Sequence, residues 1–122
     1  MEEKVEQRTK ELNIKNEELF KLSITDKLTG LYNRVKLDSV LQENMSLSLR
    51  YGNIFSVIII DIDFFKKIND NFGHQVGDDV LKECSYILSQ NIRNVDTLGR
   101  WGGEEFLVVC PETLKDGAKD LA

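Results

Sequence analysis

Arg100-Trp101-Gly102-Gly103-Glu104-Glu105-Phe106 runs straight into the apolar stretch Leu107-Val108-Val109-Cys110. No other part of the chain limits the fold so sharply. Adjacent glycines make a turn that permits positive φ and carries no side chains. The aromatic and β-branched residues beyond it read as a buried strand. The segment therefore predicts a hairpin, with Glu104 and Glu105 where the turn re-enters the sheet. Two readings of that turn stay open. It is an ordinary hairpin with charges near its tip, or a bare backbone on which a phosphate-bearing ligand approaches a carboxylate that holds a cation.

A second apolar run, Ile54 to Ile62, predicts a strand in the middle of a sheet covered on both faces. It ends in Asp61-Ile62-Asp63-Phe64-Phe65-Lys66-Lys67-Ile68-Asn69-Asp70. Asp61 and Asp63 share one face if the strand persists that far. Alternatively Asp63 caps a short helix from Phe64 to about Phe72, stopped by Gly73. The first amides of such a helix are free donors beside two carboxylates, an arrangement suited to phosphate with a cation between. Asp61 and Asp63 can meet Glu104 only in the folded state. Carboxylates from separate elements suit Mg²⁺, which takes one or two of them together with phosphate oxygens.

Around these strands the pattern is helical. Residues 1–24 are charged, free of Gly and Pro, and carry Val5, Leu12 and Leu19 at seven-residue steps with Leu22 three further on. That predicts a long helix with a sparse coiled-coil seam, or a solvated single helix. Thr25 to Arg34 breaks it, and Asn33 is placed to cap a second helix with Leu37, Val40, Leu41 and Met45 on its apolar face. Tyr51-Gly52-Asn53 is a turn. After His74-Gln75-Val76-Gly77, read as a turn, comes a helix with Val80, Leu81, Cys84, Ile87, Leu88 and Ile92 inward and Asp78 and Asp79 in its first turn. It ends near Arg93, Pro111 closes the second hairpin strand, and Thr113 to Ala122 starts another helix interrupted by Gly117. A central strand flanked by helices predicts an α/β or layered α+β domain.

Composition narrows the function. A length of 122 residues suits one modest domain. A formal charge of −5 argues against a general nucleic-acid surface and a basic membrane-surface helix. An acidic chain that binds an anionic nucleotide must recruit a cation or place its few basic groups well. Cys84 and Cys110 match no disulfide framework or zinc spacing and read as reduced core thiols of a cytoplasmic protein. The sequence carries no signal peptide and no membrane-length apolar run. It has no Walker-type loop and no nucleophilic triad, and its single histidine, His74, reads as structural.

Four ordered segments resemble the GGDEF domain of diguanylate cyclases. They are Asp26 to Arg34, Asp61 to Asp70, Phe72 to Asp78, and Gly102-Gly103-Glu104-Glu105-Phe106, the GGEEF spelling of the family signature. The resemblance spans Asp26 to roughly Glu112. It implies a nucleotidyl-cyclase, palm-like fold, with residues 1–24 as a signalling helix and residues 25–122 as a partial GGDEF domain. It implies a Mg²⁺ (or Mn²⁺) shell of Asp61, Glu104 and the backbone carbonyl of Ile62. Glu105 is then a further ligand or the group that helps deprotonate the attacking hydroxyl. Asn69 and Asp78 become the guanine readers, and Lys66 with the amides of Phe64 and Phe65 the phosphate cradle, beside the bare Gly102 and Gly103. Taken singly, Asn69 could cap a turn, Asp78 could serve a helix dipole, and Lys66 could be solvated.

The reaction implied is condensation of two GTP into cyclic di-GMP with release of two pyrophosphates, by two domains facing each other about a two-fold axis. The resemblance also implies an amino-terminal helix that tethers the homodimer under control of an upstream sensor absent from this chain, in a cytoplasmic protein or the cytoplasmic part of a membrane-bound one. Arg93 and Asp96 match the family's inhibitory product site; the alternative is a local ion pair at a helix end. The family domain continues past the hairpin with further strands and helices, including a segment that gives basic residues to the GTP phosphates. The expectation is therefore a cyclase parent and a weak or inactive fragment. The competing function is a module that binds cyclic di-GMP, or that dimerises and signals, without turnover.

Overall fold

In a computed structural model, which describes residues 2–112, seven elements follow in the order α1 (Glu2–Ile24), α2 (Arg34–Tyr51), β1 (Phe55–Asp61), α3 (Phe65–Phe72), α4 (His74–Asn91), β2 (Thr97–Arg100) and β3 (Glu105–Pro111). The three strands form an antiparallel sheet in the order β1-β3-β2. The predicted helix over Thr113 to Ala122 and the Val5 side chain of the seam lie outside the described residues.

Alternation along β3 builds the core. Phe106, Val108 and Cys110 pack on one face with Leu81 of α4 and Leu98 of β2, while Leu107 and Val109 pack on the other with Leu37 of α2. A strand buried on both faces must be apolar at every position, and Phe106 to Cys110 is. The layers are thus α2, sheet, α4. Gly99 on β2 shows how tightly α2 sits: an added Cβ would lie 2.6 Å from Leu37 Cδ1 and 2.8 Å from the Tyr32 carbonyl oxygen.

The strand expected at the middle of the sheet is instead at its edge. β1 pairs only with β3 among the described residues, and Val57 and Ile59 stand 40% and 65% exposed. Their face is that of Leu107 and Val109, but α2 lies mainly over β2 and β3 and leaves Val57 and Ile59 open, while Phe55 at the start of β1 packs against the Leu37 cluster. The central strand is the second arm of the hairpin.

Helix ends follow local chemistry. Asn33 caps α2, its Oδ1 accepting from Lys36 N at 3.1 Å, and its Nδ2 donates to Ser23 O at 2.8 Å, tying the end of α1 to the start of α2. Between them Asp26 closes a tight loop by accepting from the amide (3.0 Å) and hydroxyl (2.8 Å) of Thr29. Two boundaries differ from expectation. Gly73 alone separates α3 from α4, so His74 to Gly77 is the first turn of α4 and not a connecting turn, and Asp78 and Asp79 sit in the second turn. Met45 and Ile87 are exposed and not on the buried faces of their helices. Along α1, Leu12, Leu19 and Leu22 are exposed, as are Ile14 and Phe20. Among the described residues no helix is long and apolar enough to cross a membrane.

Candidate active site

Strand register assembles the site. Pairing of β1 with β3 sets Asp61 opposite Glu105, and one residue on the Ile62 amide donates to Glu104 O at 3.2 Å. Asp61, Ile62, Glu104 and Glu105, far apart in sequence, therefore share one end of the sheet. No hydrogen bond or ion pair engages the carboxylates of Asp61 or Glu104 among the described residues. Nor, among the described residues, does any group of three or more His, Cys, Asp or Glu side chains converge as a ready-made metal cage. Two carboxylates and a carbonyl remain a hard oxygen set of the kind Mg²⁺ shares with phosphate, so the donors fit that ion's chemistry.

The glycine turn works differently from expectation. Positive φ occurs at Gly30, Gly52 and Gly73, and not at Gly102 or Gly103. Hydrogen bonds hold the turn instead: Trp101 N and Gly102 N both donate to Glu105 O, at 2.8 and 3.3 Å. What these glycines supply is room. A Cβ at Gly103 would meet nothing within 4 Å, and one at Gly102 would lie 3.4 Å from Glu105 Oε2.

Arg100, given no role by sequence reasoning, braces this turn. Its Nε and Nη2 donate to Gly103 O at 3.1 and 2.8 Å, Nε also reaches Gly102 O at 3.2 Å, and Nη1 meets Asp26 Oδ1 at 3.3 Å. The guanidinium fork thus links the signature turn to the loop that ends α1. The only sequence signal was its place just before the glycines, since 74 residues separate it from Asp26. Trp101 is fixed from the other side, with the Arg34 guanidinium 4.2 Å from its ring centre.

Past Asp61 the chain leaves the sheet at once. Asp63 is neither a strand residue sharing a face with Asp61 nor the cap of α3: Phe64 holds the cap position, with φ 61 and ψ 24 and no side-chain cap bond. A left-handed backbone is costly for an aromatic residue, and such strain collects where function fixes the chain. The first α3 bond runs from Ile68 N to Phe64 O (3.1 Å), which leaves the amides ahead of Ile68 without intrahelical acceptors. Lys66 is exposed beside them. Asn69 of α3 lies against Gly77 of α4, next in sequence to Asp78, and its Oδ1 is buried without a partner.

Arg93 and Asp96 sit beyond the other end of α4, roughly 20 Å along that helix from Asp78. The Arg93 fork holds Asp96 through Nε (3.1 Å) and Nη2 (2.9 Å), and the Arg93 amide adds a bond of 2.9 Å. The Asp96 side chain is fully buried and that of Arg93 is 45% exposed. Burial pushes the Asp96 carboxyl up, but the hydrogen bonds and charge of Arg93 outweigh it and hold it below the usual carboxylate range. Burial and the neighbouring Asp96 raise the Cys110 thiol, as burial and Glu83 raise that of Cys84, which disfavours the thiolate at both. Asp26 follows Asp96: burial raises it, and Thr29 and Arg100 bring it below its ordinary value.

Carboxyls depressed on folding stabilise the fold above their unfolded pKa, and that stability is lost as pH falls through the folded value. Urea midpoints should therefore hold level from neutrality to about pH 5 and fall below about pH 4. Asp96→Asn should lower stability at neutrality and flatten that acid limb. An unchanged limb in the variant would remove Asp96 from the account.

Comparison with known proteins places this geometry. The family model described as "Diguanylate cyclase, GGDEF domain" matches residues 23–122. The response regulator PleD of Caulobacter vibrioides is 47% identical over 101 residues, covering 83% of this chain and 22% of PleD. Diguanylate cyclase DgcP of Pseudomonas aeruginosa is 41% identical over 99 residues, covering 81% of this chain and 15% of DgcP. Among solved structures, the coiled coil and GGDEF domain of DgcB from Caulobacter crescentus, in complex with c-di-GMP, superposes with a TM-score of 0.91 at 26% identity, over 96% of this chain and 61% of that one. Diguanylate cyclase SiaD from Pseudomonas aeruginosa, in complex with its activator SiaC, gives 0.81 at 39% identity, over 98% and 45%. The chain thus spans less than a quarter of the length of these two curated relatives.

Proposed function

This chain belongs to the GGDEF family of diguanylate cyclase domains, and from that premise we propose that it binds one GTP at the rim between β1 and β3 and, paired about a two-fold axis, condenses two GTP into cyclic di-GMP. One observation carries the reading: the register sets Asp61 and Ile62 against Glu104 and Glu105, beside the open backbone of Gly103.

Asp61, Glu104 and the Ile62 carbonyl would hold Mg²⁺ or Mn²⁺, which when bound neutralises charge on the phosphates. Lys66 and the amides of Phe64 and Phe65 receive triphosphate oxygens at the strained start of α3. The Asp78 carboxylate accepts from guanine N–H groups and the Asn69 amide supplies a complementary polar edge, so adenine would leave both unpaired. Glu105 draws the proton from the ribose 3′-hydroxyl. That oxygen then bonds to the α-phosphorus of the partner's GTP, and the bond to the bridging oxygen breaks as pyrophosphate leaves with the electron pair. The same step with the roles exchanged closes the ring.

Each domain carries one GTP, so the site is incomplete without a second copy. Residues 1–24 act as a signalling helix under an upstream sensor, raising the effective concentration of one half-site near the other, and residues 25–122 as the cytoplasmic nucleotide-binding domain. The exposed apolar edge at Val57 and Ile59 makes weak turnover the expected result for these 122 residues by themselves. Incubation with GTP and Mg²⁺ and chromatography of the products tests the reading. Cyclic di-GMP formed by the whole domain supports it, and GTP recovered intact there rejects it.

Cyclic di-GMP is also proposed to inhibit through Arg93, whose half-exposed guanidinium offers positive charge to guanine or phosphate while buried Asp96 orients it. Arg93→Ala should raise the product concentration for half-inhibition about tenfold or more in an enzyme with the whole domain. Arg93→Lys, which keeps the charge beside Asp96 and loses the planar fork, should move it the same way. Unaltered inhibition in both variants would place the product elsewhere.

A further inference from the structure

We infer that Gly77 is a positioning residue for base recognition: its bare Cα on α4 is the seat that sets the Asn69 side chain of α3 beside Asp78. Glycine inside a helix is a poor choice, because alanine there is the better helix former. The backbone does not require it. Gly77 has no positive φ, and its amide donates to Gly73 O at 3.2 Å in ordinary helical fashion. What requires it is space. An added Cβ would overlap Asn69 Oδ1 outright and lie 2.9 Å from its Cγ and 3.4 Å from Phe65 Cζ.

The Asn69 pose is otherwise unrewarded. Its Oδ1 is buried with no hydrogen-bond partner, a condition native proteins seldom keep without a use for it. Seated on the glycine Cα, the oxygen has only the weak attraction of Cα–H groups. With the oxygen inward, the amide nitrogen is the end left to donate. A methyl group at position 77 would drive the amide out of that pose while leaving Asp78 and the phosphate groups in place.

This inference rests on the GTP reading of the site, and its test separates the two. GTP and ATP are titrated calorimetrically, with Mg²⁺, into the full chain, Gly77→Ala, Asn69→Ala and the double variant. Gly77→Ala should weaken GTP about tenfold or more and erode the preference over ATP, with a thermal midpoint as high as wild type. In the Asn69→Ala background the same substitution should add nothing, because its target is gone. Wild-type GTP affinity in Gly77→Ala, or equal losses in both backgrounds, overturns the inference. Should Gly77→Ala fail to fold, the double variant must fold, since it lacks the side chain that clashes; failure of both also overturns it. Absence of GTP binding by the wild-type chain would defeat the reading of the site. Gly77 is then judged on the Asn69 side-chain amide resonance, which must move in Gly77→Ala and counts against the inference if it does not.

Discussion

Asp61→Asn is expected to lower cyclic di-GMP formation by about a hundredfold or more in an enzyme containing the whole domain, while stability stays within about 0.5 kcal/mol of wild type. The two halves of this prediction come from the same geometry. Asp61 is the last residue of β1, exposed, with no ion pair or hydrogen bond on its carboxylate among the described residues. Nothing in the fold relies on its charge. The amide of asparagine keeps the shape and loses the negative charge, so what disappears is affinity for a divalent cation and for the phosphates that share it. Glu104→Gln should behave alike, because the Ile62 amide bonds the Glu104 backbone and not its carboxylate. If both side chains serve one ion, the double variant should be little worse than either single one. Turnover against Mg²⁺ concentration, read beside a thermal melt, checks all three. Near-normal turnover in Asp61→Asn would dissolve the proposed ion shell, and independent losses from Asp61 and Glu104 would assign them to different tasks.

How far the sequence foretold this depends on the range of the interactions involved. Local chemistry was legible. Asn33 caps α2 because its side-chain oxygen and the amide that donates to it lie three residues apart, and Gly73 stops α3 with a positive φ that glycine takes without a steric penalty. The hairpin was legible because glycine pairs and a strand-sized apolar run are both short-range signals. Placement within the sheet was not. The Ile54 to Ile62 run reads as fully buried, but burial is set by what covers each face, and α2 lies mainly over β3 and β2, leaving Val57 and Ile59 exposed. The start of α4 was misplaced because Gly77 reads as a turn residue, whereas it is kept for close packing in a helix. Arg100 escaped for a plainer reason. Its partner Asp26 lies at the far end of the sequence, and one-dimensional spacing does not link a guanidinium to a loop carboxylate or to turn carbonyls. Carboxylate chemistry and family resemblance suggest Asp61 and Glu104 as partners from sequence; strand register is what sets their backbones at one end of the sheet.

The other large effect belongs to the last residue of the signature, which never faces a ligand. Phe106→Ala is expected to cost about 3–5 kcal/mol. Phe106 is fully buried at the centre of the face shared with Leu81, Leu98 and Val108, and Ile60, Ile62 and Phe65 pack around that cluster. Its removal empties volume that helices on a three-stranded sheet cannot readily close. A domain this small has only about 5–15 kcal/mol in hand, so the loss is a large share of the total. Position makes it matter for chemistry as well. Phe106 pairs with Ile60 on one side and Arg100 on the other, one step from the Asp61–Glu105 pair. Loosening it frees the register that brings the carboxylates together and the arginine that braces the turn. Phe106→Leu, which keeps most of the volume, should cost less than half as much and retain GTP binding. Urea unfolding of the three proteins, with nucleotide titration of whatever stays folded, decides the matter. A Phe106→Ala protein as stable as wild type would mean that the signature phenylalanine is not what anchors β3 between the two outer strands.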